Sequence, residues 1–126
     1  MPEQNTRAFT IEEASWRDLL ALSALEKACF NRDAWPLIEL IGVLAFPGIV
    51  RLRAVGNGKM VGFIAGDIRR RDNTGWILTL GVLPDWRRQG IAGVLLSKCE
   101  EQLRMPQVKL TVRRSNTIAV RLYTKL

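Results

Sequence analysis

Apolar and polar residues recur along this chain with two different periods, and the period changes where the turn residues fall. Residues 8–12, Ala-Phe-Thr-Ile-Glu, alternate in part and predict a short first strand. Ser15 then stands as an N-cap, with Asp18 three residues later as a near capping box. Over 16–30 the residues Trp16, Leu19, Leu20, Leu22, Leu25, Ala28 and Cys29 return at helical spacing, and Asn31-Arg32-Asp33 breaks that helix. Pro36 suits the first turn of a second helix over 36–46, which Pro47-Gly48 ends.

From 49 to 55 the period falls to two, with Arg51 and Arg53 on one face and Val50, Leu52 and Ala54 on the other. Gly56-Asn57-Gly58-Lys59 is a hairpin signal, because Asn-Gly readily takes the positive φ angles of a primed turn. Residues 60–68 read as the return strand, and Gly62 and Gly66 within it predict close packing or a bulge. A turn at 71–75 leads to a third strand over 76–83, which Pro84 stops because proline cannot donate to a ladder. A helix follows from about 90 to 104, with Ile91, Val94, Leu95, Cys99 and Leu103 on one face and Ser97, Glu100, Glu101 and Gln102 opposite. After Met105-Pro106 come a strand over 108–113, a cap at Ser115-Asn116 and a short helix over 117–125.

The predicted order is β-α-α-β-β-β-α-β-α in one domain over 1–126, without repeats or linkers. The hairpins imply antiparallel pairing, and the strand–helix–strand unit from 76 to 113 implies a right-handed crossover between parallel neighbours. The expected fold class is therefore α/β, a mixed central sheet flanked by helices.

Composition narrows the chemistry. Hydrophobic residues make up 48% and charged ones 25%, which argues against disorder. No apolar run reaches the roughly 20 residues of a membrane helix. The first five residues show no positive cap before an apolar stretch, so the expected location is the cytoplasm. There is no histidine, the commonest neutral-pH base and metal ligand, and Cys29 and Cys99 lack metal-type spacing. No metal is expected, and the cysteines read as two buried thiols. The net charge of +7 suits an anionic partner. It gathers at Arg69-Arg70-Arg71, Arg87-Arg88 and Arg113-Arg114, beside turns and strand ends. No basic helix or aromatic–basic stripe accompanies it, which speaks against a nucleic-acid module.

The densest signal is Leu80-Gly81-Val82-Leu83-Pro84-Asp85-Trp86-Arg87-Arg88-Gln89-Gly90-Ile91-Ala92-Gly93. It is a strand running into a donor-rich turn and then a glycine that opens a helix. The first N–H groups of a helix lack internal partners and lie at the positive end of its dipole. Gly90, Ala92 and Gly93 keep that first turn thin enough for a pyrophosphate to approach, and Arg87 and Arg88 add charge-assisted donors. Neither G-x-G-x-x-G nor G-x-x-x-x-G-K-[ST] is present, so dinucleotide and P-loop readings lack their core residues.

The run Val82-Leu83-Pro84-x-x-Arg87-x-x-Gly90-Ile91-Ala92 resembles the acetyl-CoA motif of the GNAT N-acetyltransferases, [QR]-x-x-G-x-[GA] after a valine-containing strand and a proline. Val112-Arg113-x-Ser115-Asn116-x-x-Ala119-x-x-Leu122-Tyr123 is similar to that family's second hallmark, and the element order matches from residue 8 onward. Within the family the chain looks most like ribosomal-protein alanine N-acetyltransferases and neighbouring protein N-terminal acetyltransferases, through Leu25-Glu26-x-x-Cys29-Phe30, Trp35 and Val-Arg-x-Ser-Asn. Phe30 and Trp35 read equally as core aromatics or as a substrate pocket.

The resemblance implies direct transfer of acetyl from acetyl-CoA, as cosubstrate, to a primary amine such as a protein N-terminus. Pantetheine would bond like an added strand to Leu80, Gly81 and Val82, with an amide near Val82 holding the oxyanion where a bulge splays the strand. Arg87, Arg88, Gln89, Gly90, Ile91, Ala92 and Gly93 would hold the pyrophosphate. Asn116 would contact the cofactor or order the site, beside its plain reading as an N-cap. Tyr123 would protonate the departing thiolate.

Two positions depart from the family. Thr111 stands where alanine N-acetyltransferases place a glutamate base, and the alternative position falls near Trp76. The chain stops at Leu126, where relatives usually continue into two further strands. That shortness leads us to expect a truncated form, or a sheet completed by a homodimer or strand swap. Three readings stay open: a protein N-terminal acetyltransferase, a small-molecule amine acetyltransferase, and an acetyl-CoA-binding module without turnover.

Overall fold

The computed structural model describes residues 8–30 and 36–110. Its elements run β1 (Thr10–Glu13), α1 (Leu19–Phe30), α2 (Leu37–Ala45), β2 (Ile49–Gly56), β3 (Lys59–Arg69), β4 (Thr74–Val82), α3 (Ile91–Leu103) and β5 (Gln107–Leu110). The sheet order is β1-β2-β3-β4-β5. The first three pairings are antiparallel and β4–β5 is parallel. This is the mixed α/β sheet expected. The final helix over 117–125, and with it the expected sheet completion by a partner, lies outside the described residues.

Element ends moved by one to three residues, each for a local reason. The hairpin turn carries Asn57 at φ 53° and Gly58 at φ 75°, the primed geometry its sequence demands. Ser15 and Asp18 complete a reciprocal capping box, but it opens a 3₁₀ turn at Trp16–Asp18 before the α-helix begins. That tighter turn rotates Trp16 off the apolar stripe, so it is 71% exposed, and Leu20 is 78% exposed. The buried stripe of α1 is instead Leu22, Leu25, Glu26 and Phe30.

The sheet is a filling between two apolar layers. On one face Leu52, Ala54, Val61, Ile64, Ile77, Leu80 and Val82 pack with the α3 residues Ile91, Leu95, Leu96, Cys99 and Leu103. On the other, Met60, Phe63 and Ala65 pack under α1 and α2 through Leu22, Leu25, Leu40, Val43 and Leu44. The β3 glycines explain why α3 lies so close. A Cβ on Gly62 would stand 3.2 Å from Ile91 and Leu95, and one on Gly66 would stand 3.0 Å from Cys99 Sγ. Both readings of Gly62 hold, since a register shift at Ala54/Val55 makes Val61 the extra residue beside it.

The β2 arginines staple the helical layer to the sheet. Arg51 donates to the carbonyls of Val43 (2.9 Å) and Phe46 near the end of α2. Arg53 bridges Glu12 at 2.6 Å and Asp18 at 2.5 Å. Its hydrogen bond is the main reason the exposed Glu12 carboxyl titrates below its ordinary 4.5. A depressed carboxyl stabilises the fold above the unfolded pKa, and that stability is lost as pH falls through the folded value. Melting temperature is therefore expected to fall as pH drops below about 4.5. Arg53→Gln should flatten that part of the profile, which thermal melts between neutral pH and acid would check.

No described helix is long and apolar enough to cross a membrane.

Candidate active site

β4 and the start of α3 build the site. β4 ends at Val82, and Leu83 N–H donates back to Val61 O on β3 at 2.8 Å. Strand geometry alternates the direction of successive amides, so the N–H groups of Leu80 and Val82 point to the other edge, toward β5. Described pairing along that edge runs from Thr74↔Gln107 to Ile77↔Leu110. The amides of a strand edge are the groups to which an extended ligand can add as a strand.

β4 carries a bulge on its β3 side, whereas the splay expected near Val82 is from 108–113, a segment described only as far as Leu110. Ala65 pairs with Thr79 and Gly66 with Ile77, which leaves Leu78 as the extra residue, on the β3 side of the strand. An apolar run without alternation carries no mark of where its faces switch.

The connection to α3 is held by one aromatic anchor. Pro84–Trp86 forms a 3₁₀ turn, with Trp86 N–H donating to Leu83 O at 2.9 Å. The Trp86 ring is 2% exposed and lies on Gly56 of β2, where an added Cβ would meet Cη2 at 2.5 Å. Beyond it the backbone turns left-handed twice, at Arg88 (φ 65°) and Gly90 (φ 81°). A bulky non-glycine residue in that region is strained, and such strain gathers at ligand sites.

Gly90 is the N-cap of α3, with no side-chain capping bond and no acidic residue in the first turn. Val94 N–H is bonded to Gly90 O at 3.1 Å, so the preceding amides of Ile91, Ala92 and Gly93 have no acceptor within the helix. Among the described residues, a Cβ built on Gly90 or on Gly93 meets no atom within 4 Å beyond its own stretch of backbone. The helix start is therefore bare, positively polarised and open, which suits a pyrophosphate. Arg88 is exposed beside it, and Gln89 is half-buried.

Arg87, expected as a phosphate contact, also has a partner within the protein. Its Nε donates to Val82 O at 3.0 Å and closes the turn onto the strand end. Cys29 Sγ shares the same carbonyl at 3.4 Å. Burial raises the Cys29 thiol above its ordinary range, with Arg87 acting in the opposite direction, and burial pushes Cys99 up to about 12. Both are thus poor nucleophiles at neutral pH. Asn116, Tyr123 and Thr111 lie outside the described residues.

One residue of interest was read from the sequence only as part of the Leu25-Glu26-x-x-Cys29-Phe30 likeness, with no role of its own. Glu26 is 1% exposed and accepts from Thr79 Oγ1 at 2.9 Å. The signal was a carboxylate inside the apolar stripe of α1, between Leu22 and Phe30. Among the described residues, no group of His, Cys, Asp and Glu gathers as a metal site.

Known proteins share this architecture. The chain is 31% identical over 121 residues to the N-terminal acetyltransferase A complex catalytic subunit NAA10 of Arabidopsis thaliana, covering 91% of this chain. It spans 63% of that relative, less than two thirds of its length. The ribosomal-protein-S18-alanine N-acetyltransferase of Escherichia coli superposes with a TM-score of 0.81 at 24% identity, over 94% of this chain and 76% of that one. A diaminobutyrate acetyltransferase of Paenibacillus lautus, solved with its substrate and coenzyme A, gives a TM-score of 0.80 at 21% identity, over 94% and 74%. A family model for the acetyltransferase (GNAT) family matches residues 13–126. The bulged strand, the bare glycine-capped helix and this match agree, and the chain belongs to the GNAT acetyltransferase family.

Proposed function

We propose that the chain is an acetyl-CoA-dependent N-acetyltransferase acting on a primary amine, with a protein N-terminus as the favoured acceptor. The observation that carries the cosubstrate is the open helix start, where no atom of the described residues fills the space over Gly90 and Gly93. The amides of Ile91, Ala92 and Gly93, with Arg88 and Gln89, would hold its pyrophosphate. The β5-facing amides of Leu80 and Val82 would hold the pantetheine arm and polarise the acyl carbonyl, a contribution commonly worth about 3 kcal/mol to a barrier. Bound acetyl-CoA supplies the activated acetyl group. Val82 O is already occupied by Arg87 and Cys29, which leaves the strand end as a donor toward that ligand.

Tyr123 is proposed as the acid that protonates the leaving thiolate, on the strength of the Asn116…Tyr123 motif. The N-terminal acceptor is favoured by acid–base chemistry. An α-amine of pKa about 7.7–8.0 is already partly neutral near pH 7, whereas a lysine needs a base. With Thr111 at the family's glutamate position and no histidine, an acceptor that arrives deprotonated suits this chain better. The N-terminal acetyltransferase A catalytic subunit among its relatives supports the same class.

The test is thiol release from acetyl-CoA across a panel of N-terminal peptides and small amines. Release is expected with peptides, and Tyr123→Phe should lower kcat about 100-fold. Unchanged turnover in Tyr123→Phe would remove it as the acid. Binding of acetyl-CoA without release from any amine would mark a binding module.

A further inference from the structure

The α1 stripe holds the cofactor strand through more than apolar packing. Glu26 accepts from Thr79 Oγ1 at 2.9 Å, a contact between residues 53 apart in sequence. Three residues on, Cys29 Sγ donates to Val82 O at 3.4 Å. Between these two points, Leu25, Cys29 and Phe30 cover Gly81 so tightly that a Cβ there would stand 3.2 Å from Cys29 Sγ and 3.3 Å from Leu25 Cδ2. One turn and a half of helix thus grips β4 at Thr79, Gly81 and Val82, the stretch between the bulge and the cradle.

Thr79 is the residue directly after the bulge. Ile77 and Leu80 both face α3, three positions apart, because Leu78 is the extra residue that switches the faces. If the bulge were lost, the strand end would slide by one position. Thr79 would then face α3, and the amides of Leu80 and Val82 would turn from the β5 edge toward β3. The slid register would also pull Thr79 away from a carboxylate that is 1% exposed. A buried carboxylate tolerates loss of a donor poorly, so it penalises the wrong register specifically.

From this we infer that Glu26, acting through Thr79, is a positioning residue that keeps the β4 bulge in place and so aims the Leu80 and Val82 amides. The inference rests on the acetyl-CoA reading for its catalytic meaning, but its structural half is measurable without any ligand. Thr79→Val removes the donor, Thr79→Ser keeps it, and Glu26→Gln keeps an acceptor oxygen without the charge.

Hydrogen–deuterium exchange of residues 77–83 in the unliganded protein is the first readout. Thr79→Val should speed exchange there at least tenfold, with α3 unchanged, and Thr79→Ser should restore it. Glu26→Gln should fall between them, which covers the case in which Thr79→Val does not fold. The second readout is kcat per folded molecule. It should drop at least tenfold in Thr79→Val, and coenzyme A should bind more weakly in the same variant, because the misaimed amides are those proposed to hold the pantetheine arm. Unchanged exchange at 77–83, or faster exchange spread evenly over the fold with kcat intact, would overturn the positioning role. A wild-type chain that neither binds coenzyme A nor releases thiol would instead refute the acetyl-CoA reading, and the exchange result would still stand or fall by itself.

Discussion

Gly90→Ala should weaken coenzyme A binding by about 100-fold, or roughly 2.7 kcal/mol, while Gly58→Ala leaves it unchanged. The two glycines are matched in every respect but location. Gly90 has φ 81° and Gly58 has φ 75°, and among the described residues neither has an atom within 4 Å of the position a Cβ would take, apart from its chain neighbours. Each substitution forces an alanine into the left-handed region at a cost of about 1–2 kcal/mol. The stability losses should therefore be equal. Only at Gly90 does the new methyl occupy space in front of the bare amides of Ile91, Ala92 and Gly93. A phosphate held off by one methyl loses charge-assisted hydrogen bonds worth about 1.5–3 kcal/mol each. Calorimetric titration of both variants checks this, and equal losses of affinity would mean that strain, not access, governs binding.

The second large effect is on the anchor of the same turn. Trp86→Ala should cost about 3–5 kcal/mol of stability, as large aromatic truncations in cores do. Its ring is 2% exposed and sits against Gly56, with Leu52, Ala54 and Val82 in the same core layer. The diagnostic result lies in the pairing. Gly56→Ala places a methyl 2.5 Å from Trp86 Cη2, in a strand where alanine would otherwise be tolerated. Overpacking of that kind typically costs about 1–3 kcal/mol. In a Trp86→Ala background the clash is gone, and Gly56→Ala should cost less than about 0.5 kcal/mol. Denaturant melts of the four proteins would close the cycle, and additive losses would show that the ring does not set the position of the turn.

How much of this was legible in the sequence depended on whether the signal was local. The Asn57-Gly58 turn, the Ser15–Asp18 capping box and the α3 apolar face are written in neighbouring residues, and each appears in the structure. The glycine-opened helix was equally legible, because its chemistry is a property of the helix start itself. Features that depend on a partner far along the chain were not. Trp16 and Leu20 are apolar, but a 3₁₀ turn and the orientation of α1 put them outside the packed stripe. Arg87 reads as a phosphate ligand, and its bond to the carbonyl of Val82 shows only once the strand end is folded beside it. Arg51 and Arg53 read as the polar face of a strand, whereas they close the helix layer through α2 carbonyls and acidic partners. The bulge at Leu78 left no trace in a mostly apolar run that Thr79 alone interrupts, since only alternation reveals where faces switch. Glu26 stood in plain view as a charge within an apolar stripe, and its meaning emerged only with Thr79 above it.

The account stands on one claim, that the end of β4 and the start of α3 form the coenzyme A cradle. Amide exchange measured with and without saturating coenzyme A tests it at the level of segments. Slower exchange confined to residues 80–93 is the predicted result. No change across 80–93, or protection centred on another part of the fold, would contradict it.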